Sequence, residues 1–359
     1  MRRPHLLDSL RMKRTMWTGV AVALALGFAL WRSIGAREDR RATMSKVSIQ
    51  AMATIIDVSA PNEDVAQAAD VVREVFTSVD ARMSEWKESS PLSEVNRFAG
   101  RAPVPVPGDL RALLARSIQI AERTEGAFDP TWAALWGLWD FRAAQPEIPS
   151  EANIAERVAL VNYRELTVND DEGTVALGRP GMKVGLGGIA KGYALDRATD
   201  ELRARGIRTF MIQSGGQVMV GDPRPDRPWR LGVRDPRGDA GTLFAAVELD
   251  NTSLSTSGDY ESYFVRDGQR YHHILDPETG WPSRGGLCSV TVVSPDATLA
   301  DALSTAMMVM GPERSLQLAE ATPDVEVVLV GPGEELRVST GLQAKLQILH
   351  RPSCADAAN

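Results

Sequence analysis

The sequence predicts a globular protein that mixes β-strands with α-helices. Segments rich in β-branched residues, such as 45–58 and 324–332, are typical of strands. Apolar residues recur at helical spacing in 63–83, and a second helix is predicted at 109–124. The apolar fraction of 43% and the charged fraction of 24% are ordinary for a globular protein. At 359 residues, the chain is long enough for one large domain or two small ones.

Charge and cysteine content exclude some functions. The formal net charge is −7, and a nucleic-acid binder needs a basic surface to neutralise phosphates. We therefore expect no nucleic-acid partner. The two cysteines, Cys288 and Cys354, have no metal-ligand spacing. A disulfide between them is open, but we expect two free thiols.

The N-terminal segment predicts an export signal. Residues 1–14 carry five basic side chains and one acidic one, and an apolar run follows at 16–31. The nearest candidate cleavage site places the bulky Ile34 at the −3 position, where small residues are needed. We therefore expect residues 1–44 to form an uncleaved inner-membrane anchor with a short linker, and the rest of the chain to face the periplasm. Export after cleavage is the alternative.

A glycine-rich stretch, GLGGIAKGYALD (185–196), precedes a predicted amphipathic helix. Its glycines let the backbone approach a ligand closely, and Lys191 supplies a positive charge suited to phosphate. A loop at a helix N-terminus also presents free N–H groups to an anion. The pattern predicts a phosphate-binding loop, although many such loops are only turns. It matches neither the P-loop nor the GxGxxG fingerprint.

Two further segments carry candidate chemistry. In 289–321 we predict a strand, a turn and a helix that begins near Thr298, so that Asp301 and Thr305 share one helix face. A carboxylate and a hydroxyl so placed are suitable Mg²⁺ ligands, whereas the alternative is that Asp301 caps the helix and Thr305 packs. In 255–282 the turn signals predict a hairpin that presents polar residues, and His273 is a candidate acid or base there.

The tryptophans of segment 126–141 fall at helical spacing. Trp132, Trp136 and Trp139 are four and three residues apart. Such a stripe usually packs into a core, and we expect that role for these tryptophans.

Taken together and in order, seven segments resemble the ApbE family of FAD:protein FMN transferases. The resemblance spans roughly residues 50–340 and includes the following segments: MATIIDV, EGAFDPTWAALWGLW, GLGGIAKGYALDRA, SGGQ, TSGDYESYF, YHHILDPETGWP and VTVVSPDATLADALSTA.

The resemblance implies an α+β fold of the ApbE (T-fold-like) type, with mixed sheets covered by helices. On this basis we predict a flavin transferase domain at 45–345 and a flexible tail at 346–359. The implied activity is Mg²⁺-dependent transfer of the FMN half of FAD to a threonine hydroxyl, with release of AMP. The implied partner is an acceptor protein with a threonine flavinylation motif, namely a membrane or periplasmic redox protein. This chain shows no such motif, so self-flavinylation is not expected.

Matching the motifs residue by residue gives the expected site. The metal ligands are Asp301, Thr305 and the backbone carbonyl of Gly188, and the residue that assists phosphoryl transfer is His273. Lys191 contacts FAD. The other cofactor contacts are expected at Met52, Trp86, Ala127, Phe128, Asp129 and Leu275. An aromatic ring at position 86 is suited to stacking on the isoalloxazine.

Several positions depart from the family pattern. Gly185 stands where the family usually has an aspartate, Gln213 and Gln217 change its NxGGD motif, and Ala53 replaces the glycine of its MGT motif. The missing carboxylate predicts weaker FAD or metal binding, or a divergent member. Two alternative functions stay open: a Mg²⁺-dependent FAD pyrophosphatase, and a non-catalytic periplasmic flavin-binding protein.

Overall fold

The computed structural model describes residues 43–239 and 241–354. Its helices are α1 (Val65–Met83), α2 (Pro91–Arg97), α3 (Gly108–Arg123), α4 (Glu151–Val158), α5 (Ala190–Ala204), α6 (Ala297–Met310), α7 (Pro312–Glu320) and α8 (Thr340–Gln343). Its strands are β1 (Met44–Ala51), β2 (Thr54–Pro61), β3 (Val104–Pro105), β4 (Leu166–Asn169), β5 (Thr174–Leu177), β6 (Met211–Ser214), β7 (Gln217–Val220), β8 (Trp229–Arg234), β9 (Leu243–Leu249), β10 (Thr252–Gly258), β11 (Tyr263–Arg266), β12 (Gln269–His272), β13 (Ser289–Ser294), β14 (Glu326–Gly331), β15 (Glu335–Val338) and β16 (Gln347–Ile348).

An eight-stranded sheet forms the centre of the described chain, in the order β1-β2-β6-β7-β10-β13-β14-β15. The pairs from β2 to β15 are all antiparallel. Three smaller sheets have the orders β11-β12, β16-β9-β8 and β3-β5-β4. In the large sheet, Ser255 of β10 lies opposite Gln217 of β7. This register places polar side chains of two neighbouring strands side by side.

Three long helices cover the large sheet. Helix α1 packs on β2 and on α5, α5 packs on α6, and α6 packs on β10 and β13. The α1 side chains Val72, Phe76 and Val79 are buried, as their helical spacing predicts. Helix α6 is capped by Asp296, whose carboxylate accepts the Leu299 N–H at 2.9 Å. The sheet and these helices enclose one continuous hydrophobic core.

Segment 45–58 differs from its prediction as a single strand. It forms the two strands β1 and β2, which are separated by Met52 and Ala53. Both of these residues have positive φ angles, 48° and 55°. Because strands need negative φ, the backbone must turn here. The segments on both sides of the turn are rich in β-branched residues, so the composition alone predicted one continuous strand.

The tryptophan segment forms a 3₁₀ helix, Pro130–Leu135, followed by turns. Trp139 is buried in a small aromatic cluster with Tyr271, as expected. Trp132 and Trp136 are only partly buried, so the expectation of core packing is wrong for these two. Their helical spacing is not matched by a long helix, because Pro130 starts a short 3₁₀ turn instead.

The C-terminal segment is held to the domain by pairing and by a disulfide. Strand β16 pairs with β9. Cys288 and Cys354 form a disulfide with a Cα–Cα distance of 5.8 Å, so the expectation of two free thiols is wrong. The described part of the predicted flexible tail is therefore anchored. The two cysteines are 66 residues apart, so no local sequence pattern indicates that they pair.

Removing the disulfide is expected to lower the free energy of unfolding by about 2 kcal/mol, because the bond restricts the unfolded chain. This is the low end of the usual range, since β16 still ties the tail to β9. Urea unfolding of Cys288→Ser/Cys354→Ser beside the oxidised wild type measures the difference. Equal unfolding midpoints would contradict a stabilising role for the bond.

The predicted anchor at 1–44 lies almost wholly outside the described residues. Within residues 43–239 and 241–354, no helix has the length and apolar character needed to cross a bilayer. The described residues from Ser45 onward form one compact unit.

Candidate active site

A cavity of about 400 Å³ opens between the glycine loop before α5, helix α6, the end of β10 and the segment after β12. Nine of the eleven predicted site residues line it: Ala127, Phe128, Asp129, Gly188, Lys191, His273, Leu275, Asp301 and Thr305. The other two, Met52 and Trp86, are not among its lining residues. Met52 lies in the β1–β2 turn and packs against the core.

The glycine loop and the first turn of α5 both contact helix α6. The Gly192 N–H donates to Asp301 Oδ2 at 3.0 Å. A Cβ on Gly188 would lie 3.4 Å from Thr305 Oγ1 and 3.5 Å from the Phe128 ring, so the loop passes close to α6. The Lys191 ammonium donates to the Gly187 carbonyl at 3.2 Å and lines the same cavity. A positive charge, a carboxylate and a hydroxyl thus meet at the start of α5.

The oxygen atoms at this point suit a divalent cation such as Mg²⁺. Asp301 and Thr305 line the cavity together with Gly188, and these residues offer carboxylate, hydroxyl and carbonyl oxygens. Hard oxygen ligands of this kind are what Mg²⁺ prefers, usually with waters and substrate phosphates completing its shell. Within the described residues, no group of three His, Cys, Asp or Glu side chains gathers at metal-binding distance.

A chain of hydroxyl groups supports Thr305 from the sheet. Ser257 Oγ of β10 lies 2.9 Å from Ser304 Oγ and 3.4 Å from Thr305 Oγ1. Ser304 Oγ in turn donates to the Asp301 carbonyl at 2.9 Å. These contacts fix the middle of α6 relative to β10, so the side chains that line the cavity are held by a rigid frame.

Asp129 is engaged within the protein. It is buried, and Oδ1 accepts the Thr131 N–H at 2.7 Å and the Thr131 hydroxyl at 2.6 Å. Its Oδ2 accepts the Tyr163 N–H at 3.0 Å. Burial raises the pKa of this carboxyl group, although the three hydrogen bonds oppose the shift. The geometry therefore gives Asp129 a structural role, as the cap of the 3₁₀ helix Pro130–Leu135.

The two neighbouring histidines have different environments. His272 is buried, and its Nε2 lies 3.1 Å from the Ser283 carbonyl. His273 lines the cavity, where its surface remains accessible. Burial, with contributions from His272 and Lys191, lowers the pKa of His273 to about 4. The imidazole is neutral at pH 7 and able to accept a proton.

An aromatic stack lies beside the cavity. Trp86 is 73% exposed and stacks on Trp136 with a centroid distance of 4.0 Å. Trp136 meets Trp132 edge to face, and Trp132 lines the cavity. Sequence reasoning missed Trp132, because its spacing suggested core packing. The Trp132 indole N–H donates to the Gly185 carbonyl at 3.1 Å, which ties the stack to the glycine loop.

Gly185, the position that lacks the family aspartate, has a carboxylate nearby. A Cβ on Gly185 would lie 3.2 Å from Glu85 Oε1 and 2.9 Å from Ala133 Cβ. Burial raises the pKa of Glu85, while Lys191 opposes the shift. The side chain of Glu85 thus occupies space that a longer residue at 185 would need. Sequence reasoning missed Glu85, because no motif around it indicates a role at the site.

Asp196 joins the two helices of the site, and sequence reasoning missed it as well. Its carboxylate, on α5, accepts the N–H groups of Ala297 and Thr298 at 2.9 and 2.8 Å, where α6 begins. It lies at the end of the motif 185–196, but its partners are 101 and 102 residues away, so the sequence offered no local signal for this contact. Burial raises the pKa of Asp196 to about 6.

The Asp196 shift predicts a pH effect on stability. Its folded pKa lies above the ordinary aspartate value of 3.8, so the folded state binds the proton more tightly than the unfolded state. The resulting stabilisation is complete below about pH 3.8 and is lost as the pH rises through about 6. As the pH falls from 6 to 4, the free energy of unfolding of the wild type relative to Asp196→Asn should rise by on the order of 1 kcal/mol per pH unit. Urea unfolding of both proteins at pH 7, 6, 5 and 4 measures this difference, and a constant difference would contradict the assignment.

The fold and the cavity define a class of protein. Mixed sheets are covered by helices, and a glycine loop with a lysine meets a carboxylate–hydroxyl pair at the start of α5. This is the arrangement of an α+β protein that binds a phosphate-containing ligand. The chain belongs to the ApbE family, whose model matches residues 52–329.

Named relatives and solved structures agree with this family. The chain is 33% identical to a FAD:protein FMN transferase of Treponema pallidum (strain Nichols) over 301 residues, which cover 79% of this chain and 83% of that one. It is 32% identical to a FAD:protein FMN transferase of Escherichia coli (strain K12), covering 74% and 78%. The crystal structure of the ApbE protein of Thermotoga maritima superposes with a TM-score of 0.76 at 34% identity, covering 84% and 99%. The flavin transferase ApbE of Vibrio cholerae gives 0.76 at 28% identity, covering 85% and 99%.

Proposed function

We propose that the protein transfers the FMN half of FAD to a threonine hydroxyl of another protein and releases AMP. Its matched relatives carry the name FAD:protein FMN transferase. The observation that carries the proposal is that the glycine loop, the first turn of α5 and helix α6 converge on one cavity, where the Gly192 N–H of α5 donates to Asp301. Lys191 and Thr305 lie in the same lining.

The proposed reaction exchanges one P–O bond for another. The threonine oxygen attacks the phosphorus on the flavin side, and the bond from that phosphorus to the bridging oxygen breaks. The electron pair stays on AMP, and the threonine proton moves to a base. Lys191 stabilises the charge that develops on the phosphate oxygens. The neutral His273 imidazole is the candidate base, because it lines the same cavity.

Asp301, Thr305 and the Gly188 carbonyl are the groups that would hold Mg²⁺. When bound there, the ion would neutralise negative charge on the pyrophosphate and favour AMP as a leaving group. The hydroxyls of the buried Ser304 and the partly buried Ser257 support this site by fixing the position of Thr305. Removal of the ion with EDTA is therefore expected to stop AMP release.

We also propose that the domain works in the periplasm, held by the N-terminal anchor, on a membrane or periplasmic redox protein. The disulfide between Cys288 and Cys354 supports this proposal, because such bonds persist in oxidising compartments. Fractionation of cells that express the tagged chain tests it. Recovery in the cytosol would contradict the proposal.

One experiment tests the activity and separates the alternatives. The protein is incubated with FAD, Mg²⁺ and an acceptor protein that a related FAD:protein FMN transferase flavinylates. Flavin mass on the acceptor, free FMN and AMP are followed over time. The proposal expects AMP and flavinylated acceptor in equal amounts. AMP with free FMN would instead identify a pyrophosphatase, and bound FAD without AMP would identify a flavin-binding protein.

A further inference from the structure

Gln217 has one end of its side-chain amide without a protein partner. It is the first residue of β7, is only 2% exposed and lines the cavity. Its Nε2 donates to Ser255 Oγ at 2.9 Å. Its Oε1 has no hydrogen-bond partner among the described residues. A buried carbonyl oxygen of this kind is costly, and a ligand donor in the cavity would satisfy it.

The amide is held in a fixed position. Ser255 lies opposite Gln217 in the antiparallel pair of β7 and β10, and its hydroxyl lies 3.2 Å from Ser304 Oγ. Ser304 is a residue of α6, and its hydroxyl donates to the Asp301 carbonyl of the same helix. One N–H of the amide is used by this network, so one carbonyl oxygen and one N–H remain for the cavity. That pair matches a heterocycle edge with an N–H donor beside an acceptor nitrogen.

We propose that Gln217 recognises the adenine ring of FAD. Oε1 accepts a hydrogen bond from the 6-amino group, and the remaining Nε2–H donates to the neighbouring ring nitrogen. This assignment rests on the proposed function, and it concerns binding specificity only. No bond to the substrate is made or broken by Gln217.

The burial of Gln217 favours adenine over the flavin ring, whose imide edge has similar chemistry. In the proposed reaction, the flavin leaves attached to another protein, so it must lie where that protein can reach it. AMP leaves alone and can occupy an enclosed part of the cavity. Gln217, at 2% exposure, belongs to such an enclosed part, whereas Trp86, at 73%, lies on an accessible surface.

Equilibrium binding tests the assignment. Dissociation constants for FAD, for its deaminated analogue with a 6-oxo group, and for FMN are measured by the initial quenching of flavin fluorescence, with Mg²⁺ and without acceptor protein. Wild type should bind FAD roughly 10- to 100-fold more tightly than the analogue. Gln217→Leu should lose this preference, so that both ligands bind with equal affinity, while its affinity for FMN is unchanged.

Control variants keep the result interpretable. Gln213→Leu makes the same change on the neighbouring strand β6, at an exposed residue outside the cavity lining, and should preserve the preference for FAD. If Gln217→Leu fails to fold, Gln217→Glu retains the size and the acceptor but removes the N–H donor, and it should keep a reduced preference. A preference that persists undiminished in either Gln217 variant, or a loss of FMN affinity instead, would overturn the assignment. Failure of the wild type to bind FAD at all would contradict the proposed function itself.

Discussion

Asp301→Asn is expected to reduce Mg²⁺-dependent AMP release from FAD by roughly 100-fold or more. The carboxylate lines the cavity with Thr305 and Gly188, and it is the negatively charged member of the proposed cation site. Asparagine has nearly the same size but no charge, so the cation would be held weakly. Initial rates of AMP release across a Mg²⁺ titration measure the effect. The variant should also need a much higher Mg²⁺ concentration for half-maximal rate.

The choice of asparagine separates catalysis from folding. Asp301 Oδ2 accepts the Gly192 N–H, and an asparagine carbonyl oxygen can accept the same bond. The melting temperature of Asp301→Asn should therefore remain close to that of the wild type. Asp200→Asn, on the exposed surface of α5, removes one carboxylate outside the cavity and should leave the rate unchanged. Normal AMP release by Asp301→Asn would exclude Asp301 as a metal ligand.

Short motifs predicted much of the cavity, because each motif carries several of its residues. Segment 185–196 contains Gly188 and Lys191, and the helix in 289–321 contains Asp301 and Thr305. Helical spacing correctly indicated that the last two share a face, and both line the cavity. The helix begins at Ala297, one residue from the predicted start, because Asp296 is a favourable N-cap.

Contacts between residues distant in sequence could not be predicted in this way. Asp196 binds the start of α6 across 102 residues, and no local pattern specifies that partner. The disulfide closes across 66 residues and depends on where β16 lies. Trp86 stacks on Trp136 only because the turns after the 3₁₀ helix bring the two rings together. Such pairings follow from the packing of whole elements, which spacing along the chain does not encode.

The fold shows what surrounds two of the residues that depart from the family pattern. Gly185 lies against Ala133 and the Glu85 carboxylate, so the absence of a side chain at 185 matches the available space. Gln217, another of the departures, is buried in the cavity lining with an unpaired oxygen. Both positions therefore bear on the cavity or the loop beside it. They are the positions where this chain and its relatives are expected to differ in ligand affinity.

Gly192→Ala is expected to destabilise the protein by about 3 kcal/mol or more. A Cβ at this position would lie 2.1 Å from the Ala297 carbonyl oxygen and 2.8 Å from Asp301 Cβ. Alanine is intrinsically better in a helix than glycine by roughly 1 kcal/mol, so an increase in stability would be expected if space were available. The clash involves the backbone of α6, which cannot rotate away, and α5 and α6 must therefore separate. Urea unfolding measures the change in the free energy of unfolding.

The same substitution should also impair the site, because the Gly192 N–H would move away from Asp301 Oδ2. Gly108→Ala is the matched control: this glycine begins α3, and the nearest atom to a Cβ there is the end of the Arg111 side chain at 3.6 Å. That variant should be as stable as the wild type or slightly more stable. If Gly192→Ala proved equally stable, the close approach of α5 to α6 would be incorrect. The carboxylate that the proposed cation site requires would then lack the contact that joins it to the first turn of α5.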